Sequence, residues 1–245
     1  MLISPALGGA RPATGFDLPF LSLGRAACPL SEHFEAYTNL PADALQDGQL
    51  YRVSEGCLAL YHQLDRARRQ ILDILGPGRI VDRAILERLR CEAMTLAPTR
   101  LERIDDAPLA LKILAADNQD LMLSRAFGHL TRIGKQGASE RVAAALLDLS
   151  KQFAPNATQE ASLGFPLHLS RSDLADWLGL TLETVSRCLS RFKRDGLVAF
   201  GKAPQMIITD RRALQEIARG ERTVESIYKP MGEPAPKGLS SVRGL

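Results

Sequence analysis

The chain has 245 residues, 45% of them hydrophobic, and a formal net charge of only +3, which fits a globular protein of two ordinary domains and does not by itself announce a nucleic-acid partner. No run of about 18 apolar residues occurs, so no membrane partner is expected, and "MLISPALGGARPATG" lacks the charged and apolar blocks of an export signal. Cys28, Cys57, Cys91 and Cys188 stand far apart, with no C-x-x-C pair and no histidine at metal-ligand spacing, which excludes the common zinc sites and leaves free thiols in a reducing cytoplasm.

In chain order, residues 1–25 are rich in Gly, Pro and Ala without periodicity and read as a flexible arm. "FEAYTNLPADALQDG" shows no clear alternating run. From Leu50 to about Leu101 the pattern is strand-like: "QLYRVSEGCLALYHQL" alternates around a Glu55-Gly56 turn, "RRQILDILGPGRI" is closed by Gly76-Pro77-Gly78, and "AMTLAPTRLERI" gives a third run. Short strands joined by glycine turns predict a small antiparallel barrel or roll. Arg66, Arg68 and Arg69 read as a solvated hairpin tip on it.

From Asp106 the apolar period becomes helical. Leu123, Phe127, Leu130 and Ile133 make a narrow stripe on a helix from about Asn118 to Lys135. A second copy of the same helix would cover such a stripe; packing on the chain's own roll is the alternative. Another helix follows from Ser139, with Val142, Leu146, Leu149 and Phe153 on one face.

Residues 166–222 carry the most specific pattern. Ser170 followed by Asp173 predicts a capped helix start near Arg171, because a hydroxyl and an acid there satisfy orphan amides at the positive helix end. Leu174, Ala175 and Leu178 form its apolar face, Gly179 ends it, and Thr181 caps a second helix running to Gly196, with Val185, Leu189 and Phe192 inside. Two short helices around a glycine turn make a helix-turn-helix. "LVAFGKAPQMIITD" then predicts a hairpin wing, and Asp210 caps a last helix burying Leu214 and Ile217. Thr223 to Leu245 is rich in Pro and Gly and reads as a disordered tail.

The wet face of the second helix carries the chemistry. Arg can bind guanine through two acceptors, Glu can accept from the cytosine amino group, and Ser can bond a base or lie beside a thymine methyl; Glu183, Ser186 and Arg187 supply these functions in its first turns, where such a helix enters the major groove. An exposed Glu183–Arg187 ion pair is the bland alternative. Arg187, Arg191, Lys193, Arg194 and Lys202 stand against one acid, Asp195, so the local charge exceeds that of the whole chain. Ser170, Thr181, Ser190, Arg191, Arg194 and Lys202 are the expected phosphate contacts. Cys188, on the inner edge of the helix, packs the helix pair; flanked by Arg187 and Arg191, it is also a candidate redox switch, if those charges lower its pKa.

"LSRSDLADWLGLTLETVSRCLSRFKRDGLV" resembles the helix-turn-helix of the cyclic-AMP receptor protein/FNR (CRP/FNR) family of bacterial transcription regulators, and "ETVSR", Glu183 to Arg187, resembles the FNR and FixK branch. The likeness runs back through "RVAAALLDLSKQF" to the roll and covers about residues 45–220. It implies an α+β architecture: a flexible arm at 1–25, an N-terminal antiparallel β-roll of the cyclic-nucleotide-binding kind at 26–106, a dimerisation helix at 107–136 bearing Leu123, Phe127, Leu130 and Ile133, a C-terminal winged helix-turn-helix at 137–222, and a tail at 223–245. It further implies a non-enzymatic homodimer on double-stranded DNA, reading a palindrome of TTGA-type half-sites, with RNA polymerase as a further partner.

The departures are specific. "RIVDRAILERLRCEAM", after Gly78, lacks the Gly-Glu and the Arg-Ser or Arg-Thr pair of members that cradle a cyclic-nucleotide phosphate. Cys28, Cys57 and Cys91 do not make a four-thiolate iron-sulfur set, and His33, His62, His129 and His168 read as surface or interface histidines rather than haem ligands. The expectation is a regulator without cofactor or small-molecule effector. A ligand or redox sensor whose helix-turn-helix serves protein contacts is the competing reading.

Overall fold

A computed structural model describes residues 31–41, 44–155, 163–201 and 204–222. The expected arm at 1–25, Cys28, Lys202 and the tail at 223–245 lie outside the described residues.

The N-terminal half is a roll of two antiparallel sheets. Strands β1 (Ser31–Phe34), β7 (Thr99–Arg103), β2 (Tyr51–Glu55) and β5 (Ile80–Val81) form one in that spatial order, and β4 (Arg69–Leu75), β3 (Leu58–Gln63) and β6 (Glu92–Thr95) form the other. Tyr51, Val53, Leu58, Leu60, Leu75, Val81 and Leu101 fill the space between them. The opposite face of β3 and β4, with Ala59, Tyr61, Ile71 and Ile74, is also buried, against the C-terminal half. A sheet covered on both sides needs apolar residues at successive positions, which is why "LALY" does not alternate.

Several local expectations are corrected here. Glu55-Gly56 is not the turn of a hairpin: β2 and β3 belong to different sheets, and Gly56 makes the crossing at φ 89°, where a Cβ would stand 2.3 Å from the Pro98 carbonyl oxygen. "AMTLAPTRLERI" is two strands, one in each sheet. The unpatterned stretch before Leu50 begins with β1, whose pairing to β7 comes from tertiary register rather than side-chain alternation. "RIVDRAILERLRCEAM" contains a helix, α1 (Arg83–Leu89), capped by Asp82, whose carboxylate accepts from the Ile85 amide at 2.6 Å. Arg69 is no solvated tip; it bonds acids of a later helix, described below.

A 28-residue helix, α2 (Pro108–Lys135), follows. It starts ten residues before the Asn118 that the apolar period suggests, with proline at its first position, where the missing amide hydrogen is no loss. Helix α3 (Ala138–Phe153) buries Val142, Leu146 and Leu149. The C-terminal module then runs β8 (Leu163–Pro166), α4 (Arg171–Leu178), α5 (Leu182–Arg194), β9 (Val198–Phe200), β10 (Gln205–Ile208) and α6 (Arg211–Ala218). The hairpin β9–β10 is the expected wing, widened by β8, which pairs with β10. The architecture is α+β: a β-roll, a long helix and a winged helix-turn-helix.

Candidate nucleic-acid interface

The helix-turn-helix is built by its caps. Ser170 Oγ accepts from the Asp173 amide at 3.1 Å while Asp173 returns a bond to the Ser170 amide at 2.8 Å, so α4 starts as the capping box demands. Gly179 closes it at φ 61°, ψ 43°, left-handed geometry that L side chains adopt at a cost. Thr181 Oγ1 then accepts from the Thr184 amide at 3.2 Å and starts α5. Val185, Leu189 and Phe192 pack inward against Leu174, Ala175, Leu178 and Trp177, which leaves the opposite face of α5 to solvent.

That outward face gathers most of the expected readers. Ser186, Arg187, Ser190, Arg191 and Arg194 line one shallow cleft of about 220 Å³. Glu183 and Arg187 are 77% and 65% exposed and stand 3.6 Å apart, a solvated pair that contributes little to folding and leaves guanidinium donors free. Arg191 is partly engaged, its Nε donating to Asp195 at 2.7 Å. The hydroxyls of Ser170 and Thr181 are tied to helix caps, and only their exposed sides face outward. Lys193 lies over the Phe200 ring at 5.5 Å, joining the helix to the wing. Leu182, at the first helical position, went unremarked in the sequence and is 52% exposed. An apolar residue placed beside Glu183 on a reading face suits a thymine methyl.

Cys188 is 6% exposed. Burial raises its thiol pKa, with Ser139 Oγ at 3.7 Å acting weakly the other way. The expected lowering by Arg187 and Arg191 is absent: they flank Cys188 in sequence, while its thiol turns to α3. Cys57 and Cys91 are likewise buried thiols with raised pKa, Cys91 to about 11. Among the described residues no group of three or more His, Cys, Asp or Glu is placed to hold a metal ion, and no helix is long and apolar enough to cross a membrane.

On α2, Leu123, Phe127 and Leu130 are exposed, and the same side carries exposed Leu109 and Ile113, which periodicity over 118–135 did not reach. Ile133 turns toward the Gly179 turn, and Leu123, Leu130 and Ile133 together line one side of a cavity of about 590 Å³ between the roll and α2. Leu60, Ile71, Leu72, Ile85 and Met122 also line that cavity. Two acids line it, Asp73 and Asp120, and Asp73 is already bonded to Arg79 and Arg125.

Comparison with known proteins places this geometry. Residues 140–217, from α3 to α6, match the Crp-like helix-turn-helix domain. The nitrogen fixation regulation protein FixK of Azorhizobium caulinodans is 32% identical over 179 residues, 69% of this chain and 71% of that protein. FixK of Rhizobium meliloti is 32% identical over 176 residues, 68% and 77% of the two chains. The chain belongs to the CRP/FNR family of transcription regulators. Within it the likeness is to FixK. The solved structure of FixK2 from Bradyrhizobium japonicum matches the fold with TM-score 0.62 at 24% identity, over 78% of this chain and 98% of that one. A CRP/FNR regulator from Thermus thermophilus does so with TM-score 0.58 at 24% identity, over 77% and 98%. These relatives are regulators rather than enzymes, and the roll, long helix and winged helix-turn-helix are the architecture they share with this chain.

Proposed function

We propose that this CRP/FNR regulator works as a homodimer that binds a palindromic operator of TTGA-type half-sites, without a small-molecule effector. The observation that carries this is the division of α5: a buried apolar side locks it onto α4, and an exposed side offers Glu183, Ser186 and Arg187 in its first two turns. Glu183 and Arg187 read base edges, Ser186 and Leu182 meet a base or a thymine methyl, and Ser190, Arg191, Arg194, Lys202, Thr181 and Ser170 hold phosphates and fix register. The apolar residues Leu109, Ile113, Leu123, Phe127 and Leu130 support pairing of two α2 helices, since each is exposed among the described residues. The absence of an effector is supported by the mainly apolar cavity wall and by the missing Gly-Glu and Arg-Ser or Arg-Thr of the members that cradle a phosphate. Twofold symmetry then sets the half-sites about one helical turn apart, and RNA polymerase is the partner the family brings.

Electrophoretic shift of a palindromic duplex over a range of salt tests the proposal. The expected result is a two-chain complex whose affinity falls steeply with salt. A chain that forms no salt-dependent complex with DNA would favour the competing reading, in which the helix-turn-helix contacts protein.

A further inference from the structure

Strand β4 and the turn after it carry polar attachments to the rest of the molecule at Arg69, Gln70, Asp73 and Gly76. Arg69 Nε donates to Asp176 at 2.9 Å and its guanidinium also bonds Asp173, so both acids of α4 are held by one residue of the roll. Gln70 Nε2 donates to the Asp176 carbonyl at 2.6 Å. Asp73 accepts from Arg79 at 2.9 Å and from Arg125 of α2 at 2.8 Å, and the same Arg125 forms two parallel bonds to Asp148 of α3, each 2.9 Å. Asp148 accepts from Gln152, whose amide oxygen receives the Gly76 amide at 3.1 Å. These groups are largely buried, and a bidentate Arg–carboxylate pair allows little angular freedom.

We propose that this Asp73–Arg125–Asp148 network, with Arg69, is a positioning clamp that fixes the DNA-reading module against the dimerisation helix in the absence of any ligand. Arg125 is its central residue, because it stands on α2 and bonds the roll and α3 at once. The clamp joins the module through α3 and α4 and leaves α5 free, so the reading face stays open while the module is held. In a dimer it converts the rigid α2 pair into a set separation of two recognition helices, and therefore into a demand for one half-site spacing. Arg125, Asp73, Asp148 and Arg69 are positioning residues: none needs to touch DNA. The inference rests on the dimeric DNA-binding reading above.

The test uses the full chain and a series of palindromes whose half-site spacing is changed by one to three base pairs, together with a single half-site duplex. Removing Arg125 alone would strand the buried Asp148, so the variant is Arg125→Met with Asp148→Asn, which leaves Asp73 paired with Arg79 and no lone charge. A milder second variant, Arg69→Gln with Gln70→Ala, acts at the more exposed end. For either folded variant, as judged by its melting transition, half-site affinity should stay within about threefold of the parent while discrimination between spacings falls by about tenfold or more. Variants that keep the parent's spacing preference would overturn the clamp. A parent that binds no palindrome at all would instead contradict the DNA-binding reading on which it rests.

Discussion

In the proposed operator complex Arg187 and Leu182 make different contacts. Arg187 presents a solvated fork of donors, so Arg187→Ala should cost about 1–3 kcal/mol on the operator and relax one base position, with a much smaller loss on random DNA. Equal losses on both, measured by fluorescence anisotropy, would assign it to the backbone. Leu182→Ala should weaken discrimination only at a thymine, since it has no donor to lose. The charged readers were legible in the sequence because residue type and spacing after a capped start define them. Leu182 was not, because an apolar residue on a wet face has no periodic signal of its own. Cys188 shows the reverse error: Arg187 and Arg191 pair with Glu183 and Asp195, while the thiol is buried beside Ser139 of α3, and burial raises its pKa.

At the scale of elements, α2 carries exposed apolar residues in two groups, Leu109 and Ile113 and then Leu123, Phe127 and Leu130, with exposed Asp120 between them. Phe127→Glu places a charge at the middle of the second group in a dimer and on open solvent in a monomer. The expected outcome is dissociation to monomers in sedimentation velocity with the monomer's melting temperature unchanged, and a collapse of operator affinity because two half-sites are no longer read together. An unchanged sedimentation coefficient would mean that another surface joins the copies. The helix starts of the C-terminal module could be drawn from sequence to within a residue, since Ser170, Thr181 and Asp210 mark them chemically, while α5 stops at Arg194, two residues before the expected Gly196. The roll could not. Its strands change sheets at Gly56 and between Thr95 and Thr99, and a strand that changes sheets keeps its local pattern while its partner changes. The short α1 was hidden for a similar reason, seven residues being too few for a helical period to stand out.

Across the whole molecule, the two halves share one core and one ionic network, and this coupling sets the pH response. His129 stacks on Trp177 with ring centres 6.0 Å apart, and His168 meets Phe153 edge-on at 5.1 Å. Burial holds both histidines below the ordinary value of 6.5, with Arg132 adding to it for His129. The unfolded chain therefore binds more protons below that value: stability is full above about pH 6.5 and declines as pH falls through it. Calorimetry should show the melting temperature falling between about pH 7.5 and 5.5, and a His129→Gln, His168→Gln variant should lose part of that slope. Asp148 opposes no such change, because burial would raise it but Arg125 outweighs burial and keeps it ionised. The long-range bonds of Arg69 and Arg125 were not legible in the chain, where their partners lie up to 107 residues away. The measurement that bears most directly on the whole reading is selection of bound duplexes from random DNA by the full chain, with no ligand added. A twofold-symmetric site with TTGA-type half-sites at one fixed spacing is the predicted result; enrichment of no symmetric motif, or of one only when a small molecule is supplied, would contradict it.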